Sequence, residues 1–341
     1  MATEAELRAM RRAIELAGAT SLPPGPNPRV GCVLLDSQEN VLSEGFHLGA
    51  GHPHAEVAAL RQVGARAQGA TAVVTLEPCA HTGRTGPCTQ ALIAAGIRRV
   101  VFGQSDPNPA AAGGASELRS AGIDVEPGLL SSEAYELNPQ WSVAVSRGRP
   151  FVTAKVAGTL DGRIAALDGT SRWITGEPAR EEVHALRSRV DAVVIGTGTA
   201  IADDPDLTDR RAQAGRQPRP VVVGMSDLPS HLRLHARDVI QIRTHDLVDA
   251  MTELFEIGDR WVLLEGGPTL TTAMLAAGLV DELVWYVAPA MLGAGKSAIG
   301  DLGISTIAQA QRWEIAFLGL VGADARIDLK PVSDDNLEGG E

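Results

Sequence analysis

Between His52 and Cys88 the chain carries His54-Ala55-Glu56, Glu77-Pro78-Cys79 and Pro87-Cys88. Imidazole nitrogen and cysteine sulfur are zinc ligands, and a catalytic zinc takes three from the protein while keeping its fourth position for water. His54, Cys79 and Cys88 are candidates for those three. The metal lowers the pKa of such a water to about 7, which makes a nucleophile available at neutral pH. Glu56 is not needed as a ligand and can carry a proton from that water to a departing amine. H-x-E followed by P-C-x-x-C is the zinc deaminase signature, with the Glu outside the metal shell. The first half is present. The second departs from it, because eight residues rather than two separate Cys79 from Cys88. A structural zinc knot stays open as a second reading, since His81 or His52 could close the shell as a fourth ligand. Cys32 lies in an apolar run and reads as a small buried hydrophobe.

The elements that must position these groups can be read in order. Thr3-Glu4-Ala5-Glu6 is a capping box, and Leu7, Met10, Ile14 and Leu16 follow at helical spacing. Pro23, Pro24, Pro26 and Pro28 break regularity before two strands, 30–35 and 41–46, joined as a hairpin. The next helix holds His54 and Glu56 in its first turn, with Val57, Ala58 and Leu60 facing inward and Gly64 near its end. A short buried strand, 72–76, delivers Cys79 at its carboxyl edge, where open α/β sheets place ligands. Cys88 opens a helix through 95. Backbone N–H groups at such junctions stabilise thiolates. Strand 99–102, helix 116–121, a strand from 122 and one long helix, 131–145, complete an α/β alternation that predicts an α/β/α layered sheet. Residues 147–150 read as a linker between domains at 1–146 and 151–331.

The second domain starts with a β-rich run at 151–156. Residues 177–188 read as a helix with Pro178 just inside its start, and 192–195 as a buried strand running into the turn Gly196-Thr197-Gly198-Thr199, whose small residues admit a ligand close to the backbone. Strands follow at 219–224 and 261–264. The latter ends in Glu265-Gly266-Gly267-Pro268-Thr269 before a helix to 277, a strand, glycine turn and helix N-terminus that form an anion site. This is not the G-x-G-x-x-G fingerprint, so a Rossmann domain is unsupported. Further strands are expected at 282–287, 313–320 and 325–329, and the polar tail, 332–341, is expected to be disordered.

At 341 residues the chain is long enough for two domains with separate cores. Its hydrophobic fraction is 44% with only 4% aromatic, so the cores are built from Ala, Val, Leu and Ile. Three cysteines, two of them assigned to metal, leave no disulfide framework and fit a reducing compartment. Charges are spread through the first eighteen residues, which lack a signal-peptide core, and no apolar run approaches the roughly eighteen residues of a membrane span. A cytoplasmic protein without membrane partners is expected. The net charge of −12 argues against nucleic acid as a partner and for a small phosphorylated substrate.

Pro26-Asn27-Pro28-Arg29-Val30-Gly31-Cys32, Pro53-His54-Ala55-Glu56, Thr75-Leu76-Glu77-Pro78-Cys79 through Gly83-Arg84-Thr85, and Asp106-Pro107-Asn108-Pro109 resemble the deaminase half of the RibD family of bifunctional riboflavin-biosynthesis proteins. Gly86 stands where that pattern has a second proline. Ala157-Gly158-Thr159-Leu160-Asp161-Gly162-Arg163, Ser171-Arg172-Trp173-Ile174-Thr175 and Ile201-Ala202-Asp203-Asp204-Pro205-Asp206-Leu207-Thr208 resemble its reductase half. The resemblance spans nearly the whole chain and implies a cytidine-deaminase-like domain followed by a dihydrofolate-reductase-like α/β domain. It implies zinc-dependent deamination of a phosphoribosylated diaminopyrimidinone, then reduction of the ribosyl group to ribityl. Hydride for the second step must come from a nicotinamide, because no side chain can supply it; NADPH is the family's donor. Carried over by position, Asn27 contacts the deaminase substrate. Ala157, Trp173, Thr199, Asp203, Gly267, Pro268 and Thr269 contact the cofactor. Ser171, Arg187, Leu207, Arg210 and Glu265 contact the second substrate, with Lys155 and Glu265 at the reaction centre. A homo-oligomer, dimer or tetramer, is implied as well. The rival readings are a nucleic-acid or free-nucleobase deaminase with an accessory nucleotide-binding domain, and a zinc-stabilised binding protein.

Overall fold

A computed structural model of the chain describes residues 1–20, 25–81, 86–109, 111–211 and 216–332. Pro23, Pro24, the Gly83-Arg84-Thr85 part of the motif and the tail from residue 333 lie outside the described residues. The backbone divides between Gly148 and Arg149 into two units. Among the described residues no helix is long and apolar enough to cross a membrane.

The first unit starts with α1 (Glu4–Gly18), where Thr3 Oγ1 accepts from the Glu6 amide and the Glu6 carboxylate accepts from the Thr3 amide. The strands β1 (Gly31–Leu35) and β2 (Val41–Phe46) pair antiparallel. They are followed by α2 (Ala55–Val63), β3 (Thr71–Leu76), α3 (Cys88–Ala94), β4 (Arg99–Gln104), α4 (Gly114–Ser120), β5 (Asp124–Pro127), α5 (Ser131–Tyr135) and α6 (Pro139–Arg147). The sheet runs β2-β1-β3-β4-β5, with β3, β4 and β5 parallel. Both β1 and β3 are buried along their whole length, so they read as continuous apolar runs instead of alternating ones. Ala55, Ala59, Leu92 and Leu118 cover one face from α2, α3 and α4. Ala9, Met10 and Ala13 of α1 cover the other, which completes an α/β/α sandwich.

Two expectations for this unit need correction. On α2 the most buried face is Ala55, Ala59 and Val63, with Leu60 packed against the same core as expected, while Val57 and Ala58 are only half-buried. The helix lies so close to β2 that a Cβ on Gly45 would fall 2.3 Å from the Ala55 carbonyl oxygen and 2.6 Å from the Ala59 nitrogen, so only its small-residue face fits there. The expected helix over 131–145 is two helices. Pro139 lacks an amide and cannot continue a helix, and Asn138 turns away to accept from the Arg29 amide and donate to the Arg29 carbonyl, both at 2.8 Å. Of the expected linker, Arg147 still belongs to α6, Gly148 takes φ 67°, and Arg149 is held by two hydrogen bonds to Asp281.

The second unit contains β6 (Phe151–Thr159), β7 (Arg163–Ala165), α7 (Glu177–Arg189), β8 (Ala192–Gly196), α8 (Thr197–Asp203), β9 (Arg219–Val223), β10 (Ile240–Ile242), α9 (Leu247–Glu256), β11 (Trp261–Leu264), α10 (Pro268–Ala276), β12 (Glu282–Ala288), β13 (Lys296–Ser297), β14 (Trp313–Val321) and β15 (Asp324–Pro331). Its main sheet runs β10-β9-β8-β11-β6-β12-β15-β14. The first six strands are parallel, and β15 and β14 are antiparallel additions. Ala250, Met251, Leu254, Met274 and Leu275 of α9 and α10 pack on one face. Ala179, Val183, Leu186 and Ala200 of α7 and α8 pack on the other. The Gly196-Thr197-Gly198-Thr199 stretch is not a free turn: Thr197 opens α8, so these residues form a strand-to-helix junction. Sequence reading left β7, β10 and α9 unassigned, although Asp246 caps α9 by accepting from the amides of Val248 and Asp249.

Gly45→Ala forces α2 off β2 and should lower the melting temperature of the first unit by several degrees, consistent with an overpacking cost of about 1–3 kcal/mol. Thermal unfolding compared with Gly64→Ala, where nothing lies within 4 Å of the added methyl but φ is 53°, separates steric clash from backbone strain.

Candidate active sites

His54 stands at the N-cap of α2 in extended conformation, Cys79 follows the carboxyl end of β3, and Cys88 is the first residue of α3. Three separate elements thus converge on one point. His54 Nδ1 lies 3.1 Å from Cys88 Sγ and 3.5 Å from Cys79 Sγ, and the three ligand atoms all fall within 4.8 Å of one another. Zn–N and Zn–S bonds of about 2.05 and 2.3 Å place N and S about 3.5 Å apart on a tetrahedron, so the donor set fits zinc. Neither His52 nor His81 belongs to the cluster among the described residues. Three ligands rather than four is the arrangement of an open site.

The three donors share protons and are electrostatically coupled. The hydrogen bond from the Cys88 thiol holds Cys79 down at about 4 against the effect of its burial, helped by His54 and the Cys88 backbone amide 3.5 Å away. Cys88 is pushed up by sharing its proton with Cys79 and by burial, and His54 is raised by its bond to Cys79. Two thiols this close resist double ionisation, and a divalent cation between them removes that repulsion. Glu56 is 3% exposed. Burial pushes its carboxyl above the usual range, while its own backbone amide, His54 and Cys88 pull the other way. A raised carboxyl is a stronger proton acceptor than an ordinary one.

A cavity of about 310 Å³ opens over this cluster, and Asn27, His47, His52, His81, Asp106 and Trp141 are among its walls. His47 Nδ1 faces the Pro53 carbonyl at 3.0 Å. A carbonyl only accepts, so Nδ1 carries the proton and Nε2 accepts from Asn27 Nδ2, also at 3.0 Å. Desolvation lowers the His47 pKa, which favours this neutral form. The Asp106 carboxyl is raised by burial to about 6. Sequence reading did not place His47 in the site, because nothing in its local pattern distinguishes it from a histidine after any strand.

The second cavity, about 540 Å³, lies at the carboxyl ends of β6, β8 and β11 and brings together Lys155, Ala157, Ser171, Thr199, Asp203, Glu265, Gly267 and Pro268. The Gly267 amide donates to Thr199 Oγ1 at 3.1 Å, which ties the α8 junction to the start of α10. Trp173, Arg187, Leu207, Arg210 and Thr269 do not line it. Trp173 is largely exposed with the Arg180 guanidinium 4.4 Å over its ring. Leu207 is buried at φ 52°, and Arg210 is exposed beside Asp206. Arg187 Nε and Nη2 donate to the two oxygens of Glu265 at 2.6 and 2.8 Å, and Lys155 Nζ lies 3.7 Å from the same carboxylate. Burial would raise Glu265, yet Arg187 and Lys155 together hold it down at about 2. Lys296 and Thr271 also line the cavity; their side chains carried no motif.

Residues 3–104 match the cytidine and deoxycytidylate deaminase zinc-binding region, and residues 150–321 match the RibD C-terminal domain. The chain is 43% identical over 329 residues to riboflavin biosynthesis protein RibD of Mycobacterium tuberculosis, covering 94% of this chain and 96% of that protein. It is 40% identical over 361 residues to RibD of Escherichia coli, covering 94% and 98%. Among solved structures, Acinetobacter baumannii RibD is similar with a TM-score of 0.85 and 39% identity over 97% of this chain and 99% of that one. A diaminohydroxyphosphoribosylaminopyrimidine deaminase/5-amino-6-(5-phosphoribosylamino)uracil reductase of Thermotoga maritima gives 0.80 and 31% over 96% and 99%.

The depressed Glu265 pKa has a definite stability signature. Its folded value of about 2 lies below the ordinary 4.5, so its contribution is complete above about pH 5 and disappears as pH falls through 2. Glu265→Gln leaves Arg187 buried without its counter-charge and should cost about 3 kcal/mol at pH 7. The gap to wild type should close between pH 5 and 2. Tryptophan fluorescence during urea unfolding reads this unit, since Trp173, Trp261, Trp285 and Trp313 lie in it. A gap that stays constant down to pH 2 would refute the assignment.

Proposed function

The chain belongs to the RibD family, the bifunctional deaminase and reductase of riboflavin biosynthesis, and we propose that its two cavities are the two active sites. The first unit acts on the diaminohydroxyphosphoribosylaminopyrimidine, and the second on the 5-amino-6-(5-phosphoribosylamino)uracil that results, the compounds after which the Thermotoga relative is named. Its cofactors are zinc and NADPH. The observation that carries this reading is the convergence of His54, Cys79 and Cys88 within 4.8 Å beside a buried Glu56. A nucleic-acid deaminase is disfavoured by the net charge of −12.

In the first cavity, His54, Cys79 and Cys88 would hold zinc, which would supply Lewis acidity toward a water. Glu56 takes the proton from that water and returns it to the departing amine, so ammonia leaves neutral. Asn27 presents its amide to the pyrimidine, and His47 fixes the Asn27 orientation through Nε2.

In the second cavity NADPH supplies the hydride that the ribosyl C1′ requires. Ala157, Thr199, Asp203, Gly267 and Pro268 would line its binding wall, and Trp173 and Thr269 are assigned to the cofactor by the family resemblance alone. Lys155 offers its ammonium to the oxygen released as the sugar opens, and Ser171 faces the same space. Glu265 keeps Lys155 in place, and Arg187 acts through Glu265, both of its fork nitrogens being committed there. Leu207 and Arg210 belong to the substrate side through the segment that Arg187 also grips at the Thr208 carbonyl, 3.0 Å away.

We also propose a cytoplasmic homo-oligomer. At the edge of the main sheet, β14 exposes Ile315, Phe317, Leu318 and Leu320. An apolar edge strand with unpaired backbone groups invites a second copy.

Glu56→Gln should retain stoichiometric zinc and lose ammonia release by at least about 100-fold, leaving NADPH oxidation on pre-deaminated substrate in place. Lys155→Ala should do the reverse. If Glu56→Gln releases ammonia at the wild-type rate, the proton-shuttle assignment is wrong. Sedimentation velocity tests the edge: Leu318→Lys should shift the wild-type oligomer to monomer, and an unchanged sedimentation coefficient would exclude β14 as the contact.

A further inference from the structure

Both ligands of the second cavity are anions. NADPH carries a pyrophosphate and a 2′-phosphate, and the substrate carries a phosphate monoester. The cavity is nevertheless not rich in cations: its charged lining residues are Lys155, Asp203, Glu265 and Lys296. Lys155 lies 3.7 Å from Glu265 and is already assigned to the sugar oxygen. The N-terminus of α10 offers one anion position through its amides, and Lys296 is the lining cation that stands apart from Glu265. The ammonium of Lys296 has no ion-pair or hydrogen-bond partner among the described residues.

Lys296 is also held in place with unusual firmness for an exposed lysine. Its strand, β13, pairs antiparallel with β7, Lys296 opposite Ala165 and Ser297 opposite Arg163. Arg163 Nη1 donates to Ser297 Oγ at 2.7 Å, and the Ala298 amide donates to the Gly162 carbonyl at 2.9 Å. Gly295 takes φ 125°, and a Cβ there would lie 2.1 Å from the Ala165 carbonyl oxygen, so the chain before Lys296 is pressed against β7 as only glycine permits. Further upstream, the amides of Leu292 and Gly293 donate to Asp161 at 3.2 and 2.6 Å. Ala165, Lys296 and Ala298 all line the cavity, while Ser297 between them is bound to Arg163. An unpaired cation on a backbone pinned at several points has the preorganisation of a binding residue.

We propose that Lys296 is a phosphate-binding residue of the reductase cavity, contacting a phosphate of either the cofactor or the substrate; this rests on the reading of the second unit as the reductase. Lysine is a point-charge donor to phosphate, and such a contact is charge-assisted.

Isothermal titration of the full chain with NADPH and, separately, with ribose 5-phosphate tests it. Lys296→Ala should weaken one of the two at least tenfold, and Lys296→Arg should stay within threefold of wild type. Loss confined to NADPH assigns the cofactor phosphate; loss confined to ribose 5-phosphate assigns the substrate phosphate. The salt dependence of the affected ligand should also become shallower in Lys296→Ala. Affinities for both probes within twofold of wild type overturn the proposal. A wild-type chain that binds both probes but oxidises no NADPH with the aminouracil substrate would instead defeat the reductase reading and leave the binding result standing.

Discussion

Two sulfurs and an imidazole nitrogen brought within 4.8 Å in a largely buried cleft are an unfavourable arrangement for a chain with nothing between them. Much of the first unit serves to impose it. β3 delivers Cys79, the start of α2 delivers His54, and the start of α3 delivers Cys88. The loop after β3 is clamped from below, since the Glu77 carboxylate accepts from the amides of Ala115 and Asp106 at 2.9 and 3.3 Å. Gly114 approaches so closely that a Cβ would meet the Pro78 carbonyl oxygen at 1.8 Å. Gly45 does the same for α2. Backbone contact without intervening side chains is what allows a ligand set drawn from three elements to have a single geometry, and the energy of metal coordination can then offset the charge crowding.

The two sites use a buried carboxylate in opposite ways. Glu56 has a thiol beside it and no guanidinium, so desolvation raises its pKa and prepares it to exchange protons. Glu265 is less enclosed and meets Arg187 and Lys155, whose charges outweigh desolvation and hold it at about 2. Those two charges keep it ionised at neutral pH. The residue type is the same, and the sign of the shift follows from which neighbours the fold supplies.

Most of the architecture was legible because the signals were local. The capping box at Thr3 and Glu6, the uninterrupted apolar runs of β1, β3 and β8, and the Gly-Gly-Pro start of α10 each depend on residues close in sequence. The misread elements failed for reasons that are not local. The innermost face of α2 is chosen by Gly45 on a neighbouring strand, which selects alanines over the larger Val57. The 131–145 stretch has helical periodicity, and Pro139 interrupts it at a point where Asn138 finds partners at Arg29, far away in sequence. β7 and β13 are too short to carry a pattern, and they exist because they pair with each other.

The candidate donors were legible in the sequence alone: His54, Cys79 and Cys88, with Glu56 two residues from the histidine, can be named from residue chemistry, and a length of 341 residues already implies two domains. Tertiary structure decided what local spacing leaves open. It excluded His52 and His81 from the ligand cluster, made His47 a partner of Asn27, and committed the Arg187 guanidinium to Glu265 rather than to the cavity. The physical reason is common to all of these. Coordination, hydrogen bonding and pKa depend on distances of a few ångströms between atoms whose residues are tens of positions apart, and only packing fixes those distances.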